Sequence, residues 1–488
     1  MIILSILLVL PLAGVLLIAL LPERFLQLAR PLAVLAASAA LGWSLYVAWR
    51  FDPDLAVLQF VERVPWHPRL GSYYSLGVDG FSMPMVLLAT LLALVAILAS
   101  AAIRLRVKSY YISMLLLEAA MLGVFMSQDW SLFYVFWELT LLPLFFLINR
   151  WGGANRSRAA LNFVLYTMGG SVFMLIALLG AFDAAKIHSF DMTEMAKGLR
   201  TLPAQTQVLL FLGLFIGFGV KMPTFPMHGW LPLAHVEAPS PVSILLSGVL
   251  LKMGSYGLIR AGFMLPAALV SLQSWLAALA MISLIYGGLL AWRQSDLKGM
   301  VAYSSISHMG VVLLGLATLT SDGITGAVMQ MVAHGLVAGS LFLLIGLLYE
   351  RTHTREIGDY GSLLRITPKL AFFTILAFVS AVGMPGSAGF VAELHALIGG
   401  LQRWGWPVVL LSAGMLVGAA YSIRTVSVLF TGQEKASLHA LPDLRPVETL
   451  AASLLAVVSF GLGLVPAPAL NMVASSVNRF HTLLQRFF

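Results

Sequence analysis

The chain has 488 residues, 60% of them hydrophobic and only 10% charged, with a mean hydropathy of +0.93. A soluble domain carries about 25% charged residues, so this composition excludes a soluble globular fold and defines a polytopic membrane protein. The net charge of +8 sits in short loops rather than one patch, which fits membrane topology and not nucleic-acid binding, and with Cys 0 there is no disulfide, thiolate-held iron–sulfur cluster or nucleophilic cysteine.

Apolar runs of ~20 residues, long enough to cross ~30 Å of hydrocarbon as helix, recur from Ile2 to Leu464 with no soluble domain between them. About fourteen spans are predicted. The first run lacks a basic n-region and leads straight into the next helix, so a cleavable signal peptide is not expected. Arg24 and Arg30 follow the first span, Arg104, Arg106 and Lys108 the third, and Arg150, Arg156 and Arg158 the fifth; Arg293 with Lys298 and the segment 351–369 continue the series. Basic loops face the cytoplasm. The alternate connections at 128–129 and 320–322 are poor in Lys and Arg, and 183–200 is mixed in sign, so both termini are expected on the outer side. The tail 467–488, with Arg479, His481 and Arg486 among Leu and Phe, reads either as an interfacial helix or as a frayed terminus.

Ionisable residues interrupt the oil. Glu118 lies in SMLLLEAAMLG, Glu138 in SLFYVFWELTLLPLFFLI, Lys221 in VLLFLGLFIGFGVKMPTFP, Lys252 in SILLSGVLLKMGSYGL and Glu393 in GFVAELHALI. Each charge costs roughly 2.5–3.5 kcal/mol at a bilayer centre on insertion scales. A lysine near a helix end can snorkel to the interface, and Glu138 can serve a structural hydrogen bond. Glu118 reads equally as packing glue between helices and as a functional acid.

Two breaks lie beside these charges. In GVKMPTFPMHGWLP, Pro223 and Pro226 remove backbone donors, so the helix stops within a turn of Lys221, where open carbonyls favour a cation. In VGMPGSAGFVAEL, Gly383, Pro385, Gly386 and Gly389 interrupt a helix just before Glu393, and an anion suits the start of the helix that follows. Pro239 and Pro241 mark either a third break or simply the prolyl entrance to the helix of Lys252. Interrupted helices in corresponding places of two halves point to an inverted-repeat transporter with its ion path at the midplane. The expected fold is an all-α polytopic membrane protein, about fourteen transmembrane helices with two inverted repeats and discontinuous helices. Its parts are N-terminal helices 1–108, a first repeat 109–263 broken near 221–226, a second repeat 264–430 broken near 383–389, and C-terminal helices 431–488.

A buried histidine alone is ordinarily a satisfied structural residue. His308 in AYSSISHMG and His334 in QMVAHGL stand beside Ser304, Ser305, Ser307 and Gln330, which makes them candidate proton relays. His228 and His235, in MHGWLPLAHVEAP, serve either loop organisation or proton entry. No H-x-x-x-H, H-E-x-x-H, Walker loop or G-x-G-x-x-G occurs, so a metal site, nucleotide-driven transport and direct hydride chemistry are not expected.

The run FGVKMPTFPMHGWLPLAHVEAPSPVSILLSGVLLKMGSYGLIR, with SDLKGMVAYSSISHMG, QMVAHGLVAGSLFLLIGLLYERTHTREI and GMPGSAGFVAEL, resembles subunit M, or chain 4, an antiporter-like membrane subunit of the proton-translocating NADH-quinone oxidoreductase, respiratory complex I. The resemblance runs over residues 76–430. It implies that Glu138, Lys221, Lys252 and Glu393 form a proton path, with His228, His308 and His334 linking it to water; Glu118, to which the resemblance assigns no role, is an auxiliary candidate from its place in an apolar run. Sister subunits and Mrp-type sodium/proton antiporters typically carry lysine where this chain has Glu393, so the glutamate favours the subunit M branch. Leu233 replaces the polar or charged residue usual in WLPxAH, and SPVS with FVAEL is similar to the oxygenic-photosynthetic form as well, which leaves donor and quinone open.

The resemblance implies a non-redox subunit of a translocase. NADH or ferredoxin, FMN, iron–sulfur clusters and quinone would belong to other subunits, and the partners would be other membrane-arm subunits, including neighbouring antiporter-like ones, lipid and protons. The setting would be a bacterial inner membrane, or a thylakoid for the photosynthetic form. The expected mechanism is electrostatic: a buried lysine's hold on its proton depends on a nearby carboxylate, so motion of Glu138 relative to Lys221 gates a transfer through Lys252 and His308 to Glu393. Two other readings stay open, a Mrp-like or hydrogenase-linked cation/proton antiporter subunit and a non-pumping spacer.

Overall fold

The computed structural model describes residues 2–433, 435, 438 and 441–488, without the side chains of 410 and 411. Hydrocarbon offers no partner for backbone polar groups, so the apolar runs must satisfy their own N–H and C=O groups and fold as helices. The N-terminal part holds α1 (Ile3–Leu20), α2 (Ala29–Arg50) and α3 (Met83–Leu98). Between α2 and α3 stands an antiparallel hairpin, β1 (Gln59–His67) and β2 (Ser72–Val78), pairing Glu62 with Leu76 and Val64 with Tyr74. This short hairpin lies within the otherwise helical membrane fold that the sequence predicts. Its turn ends on Gly71 at φ +55, where a side chain would strike the carbonyl of His188.

Two sets of five membrane-crossing elements follow. The first comprises α4 (Val107–Met126), then α5 (Trp130–Leu139) continued by α6 (Leu141–Trp151), then α7 (Arg156–Ala185). After the short α8 (Met192–Leu199) come α9 (Ala204–Lys221), broken before α10 (Leu231–Glu237), and α11 (Ser240–Leu245), which runs through a π-helical turn (Leu246–Leu250) into α12 (Leu251–Met264). The second set is α13 (Pro266–Arg293), α14 (Leu297–Thr318) and α15 (Ser321–Thr352), then, past α16 (Leu363–Ile366), α17 (Pro368–Ala381) broken before α18 (Ala388–Trp404), and α19 (Leu410–Phe430). The fourth element is broken in each set. The chain closes with α20 (Pro446–Leu464) and α21 (Ala467–Gln485). Among the described residues thirteen helices are long and apolar enough to cross a membrane. The broken pair α17 and α18 makes the fourteenth crossing.

Local sequence sets the helix ends. Asp129, Asp191, Asp296 and Thr320 accept hydrogen bonds from the first turns of α5, α8, α14 and α15, satisfying donors that have no partner within the helix. Pro239 and Pro241 prove to be a prolyl start for α11, where a missing N–H costs nothing, rather than a third break. The tail forms α21 and buries Val473, Ser476, Val477, Phe480 and Leu484 along one face, which favours the helical over the frayed reading.

Loop contacts define two ends of the bundle. At one, Arg30 donates to Leu98 O at 2.9 Å, Lys108 to Leu21 O at 2.9 Å, Trp151 to Leu105 O at 2.8 Å and Lys298 to Ala238 O at 2.8 Å. The five basic loops meet there. Lys298, which the sequence places in a loop, is buried at the start of α14. At the other end the hairpin, the 186–203 connection and α21 interlock, through Phe190 N to Gly71 O at 3.0 Å, Ser475 to Pro53 O at 2.6 Å and His481 Nδ1 to Leu319 O at 2.8 Å.

An ion pair invisible in the sequence ties the second end to the core. Arg260 of α12 donates to Asp79 at 2.7 and 2.9 Å, and its other N–H groups reach the Tyr256 hydroxyl at 2.9 and 2.8 Å. Burial alone would push the Asp79 carboxyl up, but the guanidinium and the backbone N–H groups of Ser82 and Phe81 outweigh it and hold the carboxyl below the ordinary range. The stability this pair supplies is therefore complete above the ordinary aspartate pKa and is lost only as pH falls through the lower folded-state value. Asp79→Ala strands a buried guanidinium and should cost about 3–5 kcal/mol, whereas Arg63→Gln, at a half-exposed pair with Glu194, should cost about 1 kcal/mol or less. Thermal unfolding of the two variants in detergent checks this ranking, and equal losses would contradict it.

Candidate functional site

Lys221 ends α9, where the proline pair stops the ladder, and its side chain is 1% exposed. The carbonyls released by the break are taken locally. Trp230 Nε1 donates to Val220 O at 2.8 Å and Thr224 Oγ1 to Gly219 O at 3.2 Å. Lys221 instead reaches across to the junction of α5 and α6, donating to Trp137 O at 3.2 Å and Thr140 Oγ1 at 3.0 Å, with its ammonium 3.9 Å from the centre of the Trp137 ring. Every acceptor it touches is neutral. Glu138 is the next residue after Trp137, yet it forms no ion pair with Lys221 among the described residues, and its Oε1 is buried without a hydrogen-bond partner. The lysine and the glutamate that the sequence pairs thus make no direct salt bridge, and the lysine bonds the Trp137 carbonyl and the Thr140 hydroxyl on either side of Glu138 in sequence.

Lys252 is fully buried. The π-helical turn just before it displaces the ladder by one residue and leaves Ser247 O facing the lysine, which donates to it at 2.6 Å. Lys252 Nζ also lies 2.6 Å from His334 Nδ1 on α15. A charged lysine donating in this contact requires a neutral His334 with its proton on Nε2. The His334 ring faces that of His308 on α14, centroids 5.3 Å apart at 56°. Ser247 Oγ and Ser305 Oγ are 3.1 Å apart beside them, and Gln330, one turn before His334, keeps a buried carbonyl oxygen without a partner.

Helices approach closely enough for this only because glycines line the seams. A Cβ at Gly254 would lie 2.8 Å from Met222 N, and one at Gly335 2.9 Å from Gly248 O, so α12 lies directly on the α9 break and the π-helical turn before it lies directly on α15. Glu393 occupies the second turn of α18, its carboxylate packed against the backbone of Gly383 in the break. Gly383 has φ +71, and any side chain there would collide with that carboxylate.

The remaining candidates are scattered. His228 packs between the rings of Phe225 and Tyr286, and His235, fully buried, stacks on Phe342 at 4.6 Å with neither ring nitrogen bonded. Glu118 is fully buried, and neither oxygen has a hydrogen-bond partner among the described residues. The structure therefore brings together Lys252, His334 and His308, sets Glu138 one peptide from the acceptors of Lys221, and leaves Glu393 and Glu118 without hydrogen-bonded links to the others. The sequence names Ser305 as a neighbour of His308, but the roles of Trp137, Thr140 and Ser247 as partners of the lysines were missed; only their adjacency to Glu138 or Lys252 could have signalled them. Among the described residues no three His, Cys, Asp or Glu side chains gather into a set that could hold a metal ion.

The family described as NADH:quinone oxidoreductase/Mrp antiporter, TM, matches residues 127–418. The chain is 41% identical over 479 residues to NAD(P)H-quinone oxidoreductase chain 4 2 of Thermosynechococcus vestitus, covering 96% of this chain and 89% of that one. It is 37% identical over 484 residues to NADH-quinone oxidoreductase subunit M of Rickettsia conorii, covering 97% and 98%. A chain of respiratory complex I from Thermus thermophilus with bound NADH superposes with TM-score 0.90 at 31% identity, over 99% of this chain and 100% of that one. A chain of the Mrp complex from Dietzia sp. DQ12-45-1b gives TM-score 0.83 at 25% identity, over 97% and 52%. The chain belongs to the antiporter-like subunit M, or chain 4, family of NADH-quinone oxidoreductase.

Proposed function

We propose that the chain conducts protons across the membrane as a membrane-arm subunit of a quinone-reducing complex, through Glu138, Lys221, Lys252, His334, His308 and Glu393. The observation that carries this reading is the contact of Lys252 with His334, which in turn faces His308, in the buried centre of the bundle. The partners of the two lysines matter as much as their burial. A lysine bonded only to carbonyl, hydroxyl or imidazole groups is not locked by a carboxylate and can give up its proton; an arginine cannot at any accessible pH. The chain uses arginine where it needs a permanent pair, at Arg260 with Asp79 and at Arg351 with Glu448, and lysine along the line.

In this mechanism Lys221 rests on Trp137 O and Thr140 Oγ1 with Glu138 held aside. A shift of α5 that swings Glu138 onto Lys221 strengthens the lysine's hold on a proton, and release of that contact sends the proton toward Lys252, through His334 and His308, and on to Glu393. The quinone reduction that drives the shift, and the NADH or ferredoxin, FMN and iron–sulfur clusters that feed it, belong to neighbouring subunits. The two five-element sets act as inverted repeats, residues 109–263 and 264–430, with the breaks of α9 and α17 at corresponding places. The basic-loop end faces the cytoplasm, and both termini lie outside. His228, His235 and Glu118 serve as auxiliary groups between the line and water. The competing reading, a Mrp-like or hydrogenase-linked cation/proton antiporter subunit, draws on the Dietzia match and predicts sodium-dependent exchange without quinone reduction.

Loss of a proton-transferring side chain in Lys221→Ala or Glu138→Ala should slow coupled pumping about tenfold or more. Proton uptake by vesicles carrying the assembled complex, set against quinone reduction, measures this; a normal proton-to-electron ratio in correctly assembled variants would remove both residues from the path. Gly383→Ala removes no titratable group and acts only by contact with the Glu393 carboxylate. By displacing the Glu393 carboxylate it should reproduce the pumping defect of Glu393→Gln, and wild-type pumping in a well-assembled Gly383→Ala complex would show that the carboxylate's position at the break is immaterial.

A further inference from the structure

At the hairpin end, away from the five basic loops, a cavity of about 240 Å³ opens between α8, the end of α12, the 56–58 strand approach and α21. That is far more room than one water needs. Its lining gathers Lys197, Arg200, Arg260 and Arg479 around a single carboxylate, Asp79. Asp79 is already spent on Arg260, as described above. Arg200 uses Nε and Nη2 on Phe263 O at 2.9 and 2.6 Å, and Arg479 uses Nη1 on Ala56 O at 2.9 Å, so Nη1 of the first and Nε and Nη2 of the second have no acceptor among the described residues. Burial and the nearby guanidinium groups of Arg479 and Arg486 lower the Arg200 pKa, so like charges crowd one another here. Ser476 Oγ accepts from Gly80 N at 2.9 Å and keeps its own proton to give.

Topology does not explain this cluster, because basic residues that orient a membrane protein gather at the opposite end of the bundle. Carbonyl anchors on Arg200 and Arg479 fix two guanidinium groups in place before any ligand arrives, which lowers the ordering cost of binding. Their free edges come from different places in the chain, Arg200 just after α8 and Arg479 on α21, and both line one cavity. An anion with several oxygens in a tetrahedral array can take donors from both at once, and guanidinium groups pair with phosphate oxygens by strong, charge-assisted bonds. We infer that this cavity binds a phosphate group, with Arg200 and Arg479 as its principal donors, Ser476 as a hydroxyl donor and Lys197 supplying charge at the rim. The group belongs either to an anionic lipid headgroup or to free phosphate.

The test uses the whole membrane complex purified in mild detergent and returned to nanodiscs. Phenylglyoxal modification of Arg200 and Arg479 is read by peptide mass spectrometry in phosphatidylcholine discs, in the same discs with inorganic phosphate, and in discs containing phosphatidylglycerol. Protection by phosphatidylglycerol alone identifies a lipid headgroup, and protection by inorganic phosphate in phosphatidylcholine discs identifies the free ion; either supports the site. In the Arg200→Gln/Arg479→Gln complex, retention of anionic phospholipid through purification, or phosphate binding, should fall about tenfold or more. Lys197→Gln, at an exposed position, provides a variant whose folding is not in question and should weaken the same binding about threefold. Equal modification of both arginines in wild-type complex under all three conditions would overturn the inference, as would variants that retain lipid and bind phosphate like wild type.

Discussion

A polar group inside hydrocarbon has no water to turn to, so each one must find its partner within the protein. That constraint organises this chain. It makes the apolar runs helical, it requires the carbonyls freed at the α9 break to be met by Trp230 and Thr224, and it makes every buried cation reach for another element. The packing follows from the same demand: Gly335 thins the seam where the Lys252 helix meets α15, and Gly254 the seam where it meets the α9 break. On the proposed proton path, partner choice separates structural charges from those that exchange a proton.

The two kinds of cation show that separation. Arg260 and Arg351 face carboxylates in short, buried contacts and fasten the ends of the bundle. Lys221 and Lys252 lie nearer its middle on neutral acceptors, each beside a distortion of the helix ladder, the proline break after one and the π-helical turn before the other. Such distortions expose a backbone carbonyl that a straight helix would keep for itself. For Lys252 that carbonyl, Ser247 O, is the second partner that allows the lysine to sit in the core at all.

Much of this was legible in the sequence because it is written in local composition. Runs of apolar residues gave the spans, Pro223 with Pro226 and Gly383 with Pro385 gave the two breaks, and a lysine or glutamate in an oily run announces itself. What was not legible depends on long-range meetings. Asp79 and Arg260 are 181 residues apart, and nothing local in either segment points to the other. The π-helical turn has no breaker residue in LSGVL beyond a single glycine, and the hairpin hides its alternation behind Pro65 and an irregular register. The hydrogen-bond partners of Lys221 are Trp137 O and Thr140, neutral groups that no charge pattern singles out.

On the proposed path the buried lysines matter because they release a proton, not merely because they are positive. Lys252→Arg tests it most directly, since arginine keeps the charge and hydrogen-bonding capacity but holds its proton at every accessible pH. The measurement is the proton-to-electron ratio of the assembled Lys252→Arg complex in sealed vesicles. A complex that assembles and reduces quinone but pumps fewer protons per electron is the predicted result, and an unchanged ratio would contradict the account.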